Sequence, residues 1–159
     1  MGIFLDLSKA FDMVSHDILL YKLSHYGLRG AQLSWFSSYL INRSQFTTIN
    51  NTYSSTKNII NGVPQGSVLG PILFLVYIND LFQAIQNHKL SLFADDANVF
   101  IFDRDPDLLF RKSNEVCDNL FKWFTANNLC VNLSKTSYML FRPSKNLSSL
   151  FMLLALQYF

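Results

Sequence analysis

The chain has 159 residues, half of them apolar and 15% aromatic, and a net charge of +2 from 13 basic and 11 acidic side chains. That length suits one domain of ordinary size, and so apolar a composition excludes a disordered chain. The weak net charge excludes a whole-molecule field that would draw in nucleic acid, so any such role must rest on local sites.

In chain order, residues 3–7 (IFLDL) read as a buried strand that ends at a carboxylate, Asp6. Residues 15–26 carry a helical pattern with Ile18, Leu19, Leu23 and Tyr26 on its apolar face, closed by Gly27 and Gly30. Residues 31–41 predict another short helix. Residues 44–50 and 55–61 flank the turn formers Asn50 and Asn51 and predict a hairpin. The segment GVPQGSVLGPILF at 62–74 reads as a loop punctuated by Gly and Pro, entering a long apolar helix that runs to about Ala84. Residues 89–93 and 97–102 predict two apolar strands with Ala94, Asp95 and Asp96 at the hairpin tip. Residues 105–127 predict an amphipathic helix that starts at Asp105-Pro106. Residues 129–141 predict a second hairpin with its turn at Asn132 to Lys135. The expected fold class is α+β, an antiparallel sheet backed by helices. One domain is expected over 1–143, followed by a divergent tail at 144–159.

The N-terminal MGIFLDLSKAFD lacks a basic start and is interrupted by Asp6, so it does not read as a signal peptide. The apolar run from Val68 to Ile78 is about half a membrane span. A soluble, intracellular chain is expected, in the nucleus or the cytoplasm. Two cysteines, Cys117 and Cys130, are too few for a disulfide framework or a Cys-rich zinc site, and both are expected as buried free thiols of a reducing compartment.

The strongest chemical signal is FADD, Phe93 to Asp96. Adjacent carboxylates in an apolar hairpin repel each other and lose hydration, two costs that a bound cation removes. Taken alone, Asp-Asp is also an ordinary exposed turn. Asp6 adds weight to the metal reading, because a carboxylate after Ile3-Phe4-Leu5 has no packing role. Were the two segments neighbouring strands, Asp6 and Asp95 could face one another. Three such groups suit Mg²⁺, a hard cation that prefers oxygen ligands, and a pair of ions can serve phosphoryl transfer.

Three segments in this order, FLDLSKAFDMVSHDIL, GVPQGSVLGPILFLVYINDL and FADD, resemble the central motifs of reverse transcriptases, and most of all those of non-LTR, LINE-like retrotransposons. The likeness runs from about Ile3 to Arg142. It implies a polymerase palm, with an RNA template, a DNA primer and dNTPs as partners and two Mg²⁺ (or Mn²⁺) ions as cofactors. It implies that Asp6, Asp95 and Asp96 hold the metals, and that Leu7 offers its backbone carbonyl to the nucleotide-side ion. Phe11 would be the steric gate against a ribose 2′-OH. Pro64, Gln65 and Gly66 would cradle the nucleotide and template. Lys135, in NLSKT, would act as general acid toward the leaving pyrophosphate. Asp12, His16, Asp17, Tyr77, Asn79 and Asp80 also fit the pattern and are expected in structural roles.

Met1 stands five residues before Asp6, and the sequence after Arg142 does not resemble a thumb. The reading is therefore a partial palm with little activity alone. The competing reading is a non-catalytic nucleic-acid-binding or interaction remnant of a retroelement. A small Mg²⁺-dependent phosphotransferase or nuclease of another fold is disfavoured, since the chain has neither a P-loop nor an HExxH motif.

Overall fold

The computed structural model describes residues 1–86 and 88–141. The tail expected at 144–159, like the end of the expected domain at 142–143, lies outside the described residues. The chain divides into two compact units, one formed by Met1–Ala10 with Asn79–Phe159 and the other by Phe11–Ile78.

The first unit is built on a four-stranded antiparallel sheet of β1 (Gly2–Leu5), β6 (Lys89–Phe93), β7 (Asp96–Phe100) and β8 (Ser137–Met139), in the order β6-β7-β1-β8. The strand β1 pairs with β7 from Gly2↔Phe100 to Leu5↔Ala97 and with β8 from Gly2↔Met139 to Phe4↔Ser137. Alternation sends Ile3, Leu5, Ala97 and Val99 to one face, where all four are buried. The helix α5 (Pro106–Ala126) contributes Leu109, Val116, Cys117, Leu120 and Phe124 to the buried set, positions that with the buried Ser113 fall on one face of the helix. It starts where the sequence places it: Asp105 is the N-cap, its carboxylate accepting from Asp107 N at 2.9 Å, and Pro106 sits in the first turn.

Two expectations are corrected in this unit. Residues 129–141 do not pair with each other as a hairpin. They turn to the N-terminal strand instead: Ser137–Met139 pairs with β1 as β8, and Val131 makes a single bridge to Leu7 just beyond the end of β1. The cysteines also differ, since Cys117 is buried but Cys130 is exposed. Burial, and secondarily the charge of Asp118, push the Cys117 thiol up to about 11. At pH 8 the native chain is therefore expected to react with a thiol reagent at Cys130 alone. Cys117 should become reactive only on unfolding, and mass-spectrometric labelling with and without denaturant checks this.

The second unit holds α2 (His16–His25), α3 (Gly30–Leu40) and α4 (Leu69–Ile78), preceded by the single-turn helix α1 (Ala10–Met13, which begins at the last residue of the first unit). The helix α2 packs against α3 and α4. Ser15 caps α2 by accepting from Ile18 N, as the sequence around His16-Asp17 suggests. Val14, Leu19, Leu40, Phe74 and Tyr77 are fully buried. Tyr77 matches its expected structural role. Its hydroxyl accepts from Ser15 N at 3.3 Å and its carbonyl accepts from the buried Lys22 Nζ at 2.6 Å. The apolar helix is not continuous to Ala84, because α4 stops at Ile78 and Asn79–Ile85 is a 3₁₀ helix. The hairpin expected around Asn50-Asn51 forms. The strand β2 (Arg43–Gln45) pairs with β5 (Lys57–Ile59), and nearer the tip β3 (Thr48–Ile49) pairs with β4 (Thr52–Tyr53).

Candidate active site

The register of β1 and β7 decides where the acidic side chains fall. Their last pair is Leu5↔Ala97, and one further step sets Asp6 across from Asp96. Because Leu5 and Ala97 face the core, Asp6 and Asp96 lie on the other side, next to Phe4 and Asn98. Phe93↔Asp96 closes the β6–β7 hairpin, leaving Ala94 and Asp95 as a two-residue turn. This corrects the expectation of Asp96 at the tip: it is the first residue of a strand. Ala94 has φ +52°, the left-handed geometry that a tight hairpin demands at its first turn position and that a non-glycine residue adopts at a cost.

The main chain of Asp6 is held by the segment before β8. Its carbonyl accepts from Asn132 N at 2.8 Å, and its N–H points to Thr136 Oγ1 at 3.5 Å. The turn is closed internally by Thr136 N donating to Asn132 O at 2.9 Å. Lys135 Nζ lies 3.8 Å from Asp6 Oδ1. With Lys135 two-thirds exposed, such a pair contributes at most about 1 kcal/mol. Leu7 faces Val131 through bonds made by its neighbours, Ser8 N to Cys130 O and Asn132 N to Asp6 O. That is the non-hydrogen-bonded type of antiparallel pair, so Leu7's own carbonyl is directed away from Val131.

Asp6, Asp95, Asp96, Leu7 and Lys135 thus belong to the first unit. Continuing the β1–β7 register by one step puts Asp6 and Asp96 at facing positions, and an ion pair brings Asp6 and Lys135 together. The all-oxygen donor set fits a hard divalent cation. Among the described residues, no three His, Cys, Asp or Glu side chains are gathered closely enough to hold a metal ion.

Phe11, Pro64, Gln65 and Gly66 belong to the second unit. The ring of Phe11 packs on Phe74 with centroids 4.7 Å apart. Phe11 O accepts from Val63 N at 2.9 Å, and Gly62 N donates to Val14 O at 2.7 Å. His16 Nε2 donates to Gly62 O at 2.8 Å. The Gln65 amide donates to Asp12 Oδ1 at 2.8 Å. Ser67 staples the loop to the start of α4, donating through Oγ to Pro64 O at 2.7 Å and accepting from Gly70 N at 3.0 Å. Gly62 has φ +90°, and a Cβ there would lie 2.9 Å from Asp12 Cα. Replacing Gly62 by Ala combines left-handed strain with a backbone clash, and is expected to destabilise the fold by at least about 2 kcal/mol, read from urea unfolding.

Several of these partners are not apparent in the sequence. Asn132 and Thr136 engage Asp6 from about 130 residues away, and only the short turn signal NLSKT hints at them. Ser67 stands inside GVPQGSVLGP, where a Ser three residues before Gly70 reads as a helix-start signal.

The sequence matches the family model described as reverse transcriptase (RNA-dependent DNA polymerase) over residues 1–152. It is 32% identical over 148 residues to the probable RNA-directed DNA polymerase from transposon BS of Drosophila melanogaster, covering 85% of this chain and 16% of that protein. Against the RNA-directed DNA polymerase from the mobile element jockey of the same species it is 32% identical over 149 residues, covering 89% and 16%. The chain therefore spans about a sixth of the length of these relatives. Among solved structures, apo telomerase from Candida tropicalis superimposes with a TM-score of 0.64 at 14% identity, covering 91% of this chain and 31% of that one. Telomerase from Candida albicans does so with a TM-score of 0.62 at 15% identity, covering 86% and 27%. At such identities the likeness speaks to the fold, which is of the reverse transcriptase and telomerase type, with mixed helices and antiparallel sheets. The motifs, the extent of the family match and these retrotransposon relatives together establish that the chain belongs to the reverse transcriptase family.

Proposed function

We propose that this chain is the palm region of an RNA-directed DNA polymerase, serving nucleotidyl transfer onto a DNA primer along an RNA template. The observation that supports the reading is the β1–β7 register, which ends at Leu5↔Ala97, one step short of Asp6 and Asp96, with Asp95 on the adjoining turn. Asp6, Asp95 and Asp96 would hold the two Mg²⁺ ions, which supply activation of the primer hydroxyl and neutralisation of phosphate charge. Leu7 would offer its backbone carbonyl as a further oxygen ligand. Phe11, oriented by Phe74, excludes a 2′-OH by bulk. The Pro64-Gln65-Gly66 loop, fixed by Asp12 and Ser67, receives the dNTP and template. Lys135, whose Nζ lies 3.8 Å from Asp6 Oδ1, would donate a proton to the departing pyrophosphate.

The test is primer extension on a primed RNA template with Mg²⁺, run for the wild type and for Asp95→Asn. Weak, distributive incorporation that disappears in the variant supports the reading. Incorporation that survives Asp95→Asn overturns it.

A second reading, a non-catalytic nucleic-acid-binding remnant, is favoured by one observation: no three ligand side chains converge among the described residues. Binding of Mn²⁺ followed by electron paramagnetic resonance separates the two, since only the first requires an Asp6-dependent site.

A further inference from the structure

We propose that the β2–β5 hairpin, residues 43–59, is a landing surface for single-stranded nucleic acid, a deepening that rests on the polymerase reading above. Charge is the first observation. Between Asp17 and Asp80 the chain has no carboxylate side chain, while Arg29, Arg43 and Lys57 fall in that stretch along with Lys22. The near-neutral total conceals a long segment with no carboxylate of its own, the nearest being Asp17, which lines the hollow beside Arg43 at the base of the hairpin. Lys22 is buried against Tyr77 O, so the surface cations are the other three.

The second observation is where the hairpin puts its side chains. Arg43 and Gln45 lie two residues apart in β2, and Gln45 pairs with Lys57. Arg43, Gln45 and Lys57 therefore project from one face, with the two cations as diagonal neighbours. Toward the tip, Phe46 and Tyr53 touch with centroids 5.7 Å apart, yet remain 57% and 68% exposed. Two large rings held out in water, flanked by the hydroxyls of Thr47, Thr48 and Thr52, form a mixed surface and not an apolar patch. An apolar protein partner would strand those hydroxyls without hydrogen bonds. A single strand satisfies all three features, with bases stacking on the rings, phosphates meeting Arg43 and Lys57, and sugars and base edges meeting the hydroxyls.

The experiment is fluorescence anisotropy of a labelled 12-nucleotide RNA, and of the DNA of the same sequence, titrated with the full chain at several salt concentrations. Wild type should bind both, because ring faces and cations read neither the sugar nor the sequence. Phe46→Ala with Tyr53→Ala should weaken binding on the order of 30-fold. Arg43→Gln with Lys57→Gln should reduce the salt slope by about 1.4, at about 0.7 per phosphate contact of a single strand. Should the ring variant lower the unfolding midpoint, the glutamine variant still decides the matter through its slope. Wild-type binding that both variants reproduce, in affinity and in slope, overturns the hairpin assignment and leaves the polymerase reading standing. A wild type that binds neither strand at low salt overturns the polymerase reading together with the hairpin.

Discussion

Replacing Asp95 by Asn is expected to abolish Mg²⁺-dependent incorporation while leaving the fold intact or slightly more stable. The two effects have opposite signs because they come from the same charge. Without metal, Asp95 and Asp96 are adjacent where the β6–β7 turn meets its strand, and neighbouring carboxylates repel each other. Removing one relieves that repulsion at no cost in packing, since the amide has the size of the carboxylate. If Asp95 holds metal as proposed, the same substitution would delete a ligand. A metal-stabilised transition state draws several kcal/mol from its ions, and a loss of about 4 kcal/mol is about a thousandfold in rate. Incorporation assays and urea unfolding on one preparation give both numbers. A large loss of stability in Asp95→Asn would mean that the turn depends on the carboxylate for its structure and would remove the metal interpretation.

Truncating Phe74 to Ala is expected to produce the largest loss of stability, about 3–5 kcal/mol. Phe74 is fully buried in α4 and its ring supports that of Phe11. The loss would be a large share of the 5–15 kcal/mol or so that holds a typical domain together. Phe74→Leu, which keeps most of the volume, should recover more than half of it. The comparison also bears on Phe11. If its ring is set by Phe74, Phe74→Leu should leave the chain folded but discriminate less well between dNTP and rNTP. Equal discrimination in wild type and Phe74→Leu would show that Phe11 keeps its place without this support.

Local physics made much of the fold readable. The amphipathic stripe of α5, its Asp105-Pro106 start and the Asn50-Asn51 hairpin are each written within a few neighbouring residues, and each forms. The break at Asn79 was not readable, because the run from Leu69 to Ile85 is apolar on nearly every side and periods of 3.6 and 3.0 leave the same mark on it. The behaviour of 129–141 was hidden for another reason. Its arms look like a hairpin, but β1 presents backbone partners on that flank, and pairing with β1 also satisfies the carbonyl of Asp6. Such a choice depends on residues more than a hundred positions away. The same holds for the site. Asp6, Asp95 and Asp96 were apparent as unusual carboxylates, whereas the placement of Asp96 on a strand beside Asp6 required a register that only the paired strands define.

The grip of the Asn132–Thr136 turn on Asp6 has a thermodynamic consequence. Fixing one residue's backbone costs about 1–2 kcal/mol. For Asp6 that cost is met during folding, because Asn132 engages its carbonyl. Were Asp6 to take a cation as proposed, only its two side-chain torsions would remain to be arrested and a weakly held ammonium group to be displaced, so little affinity would be lost to disorder in the peptide.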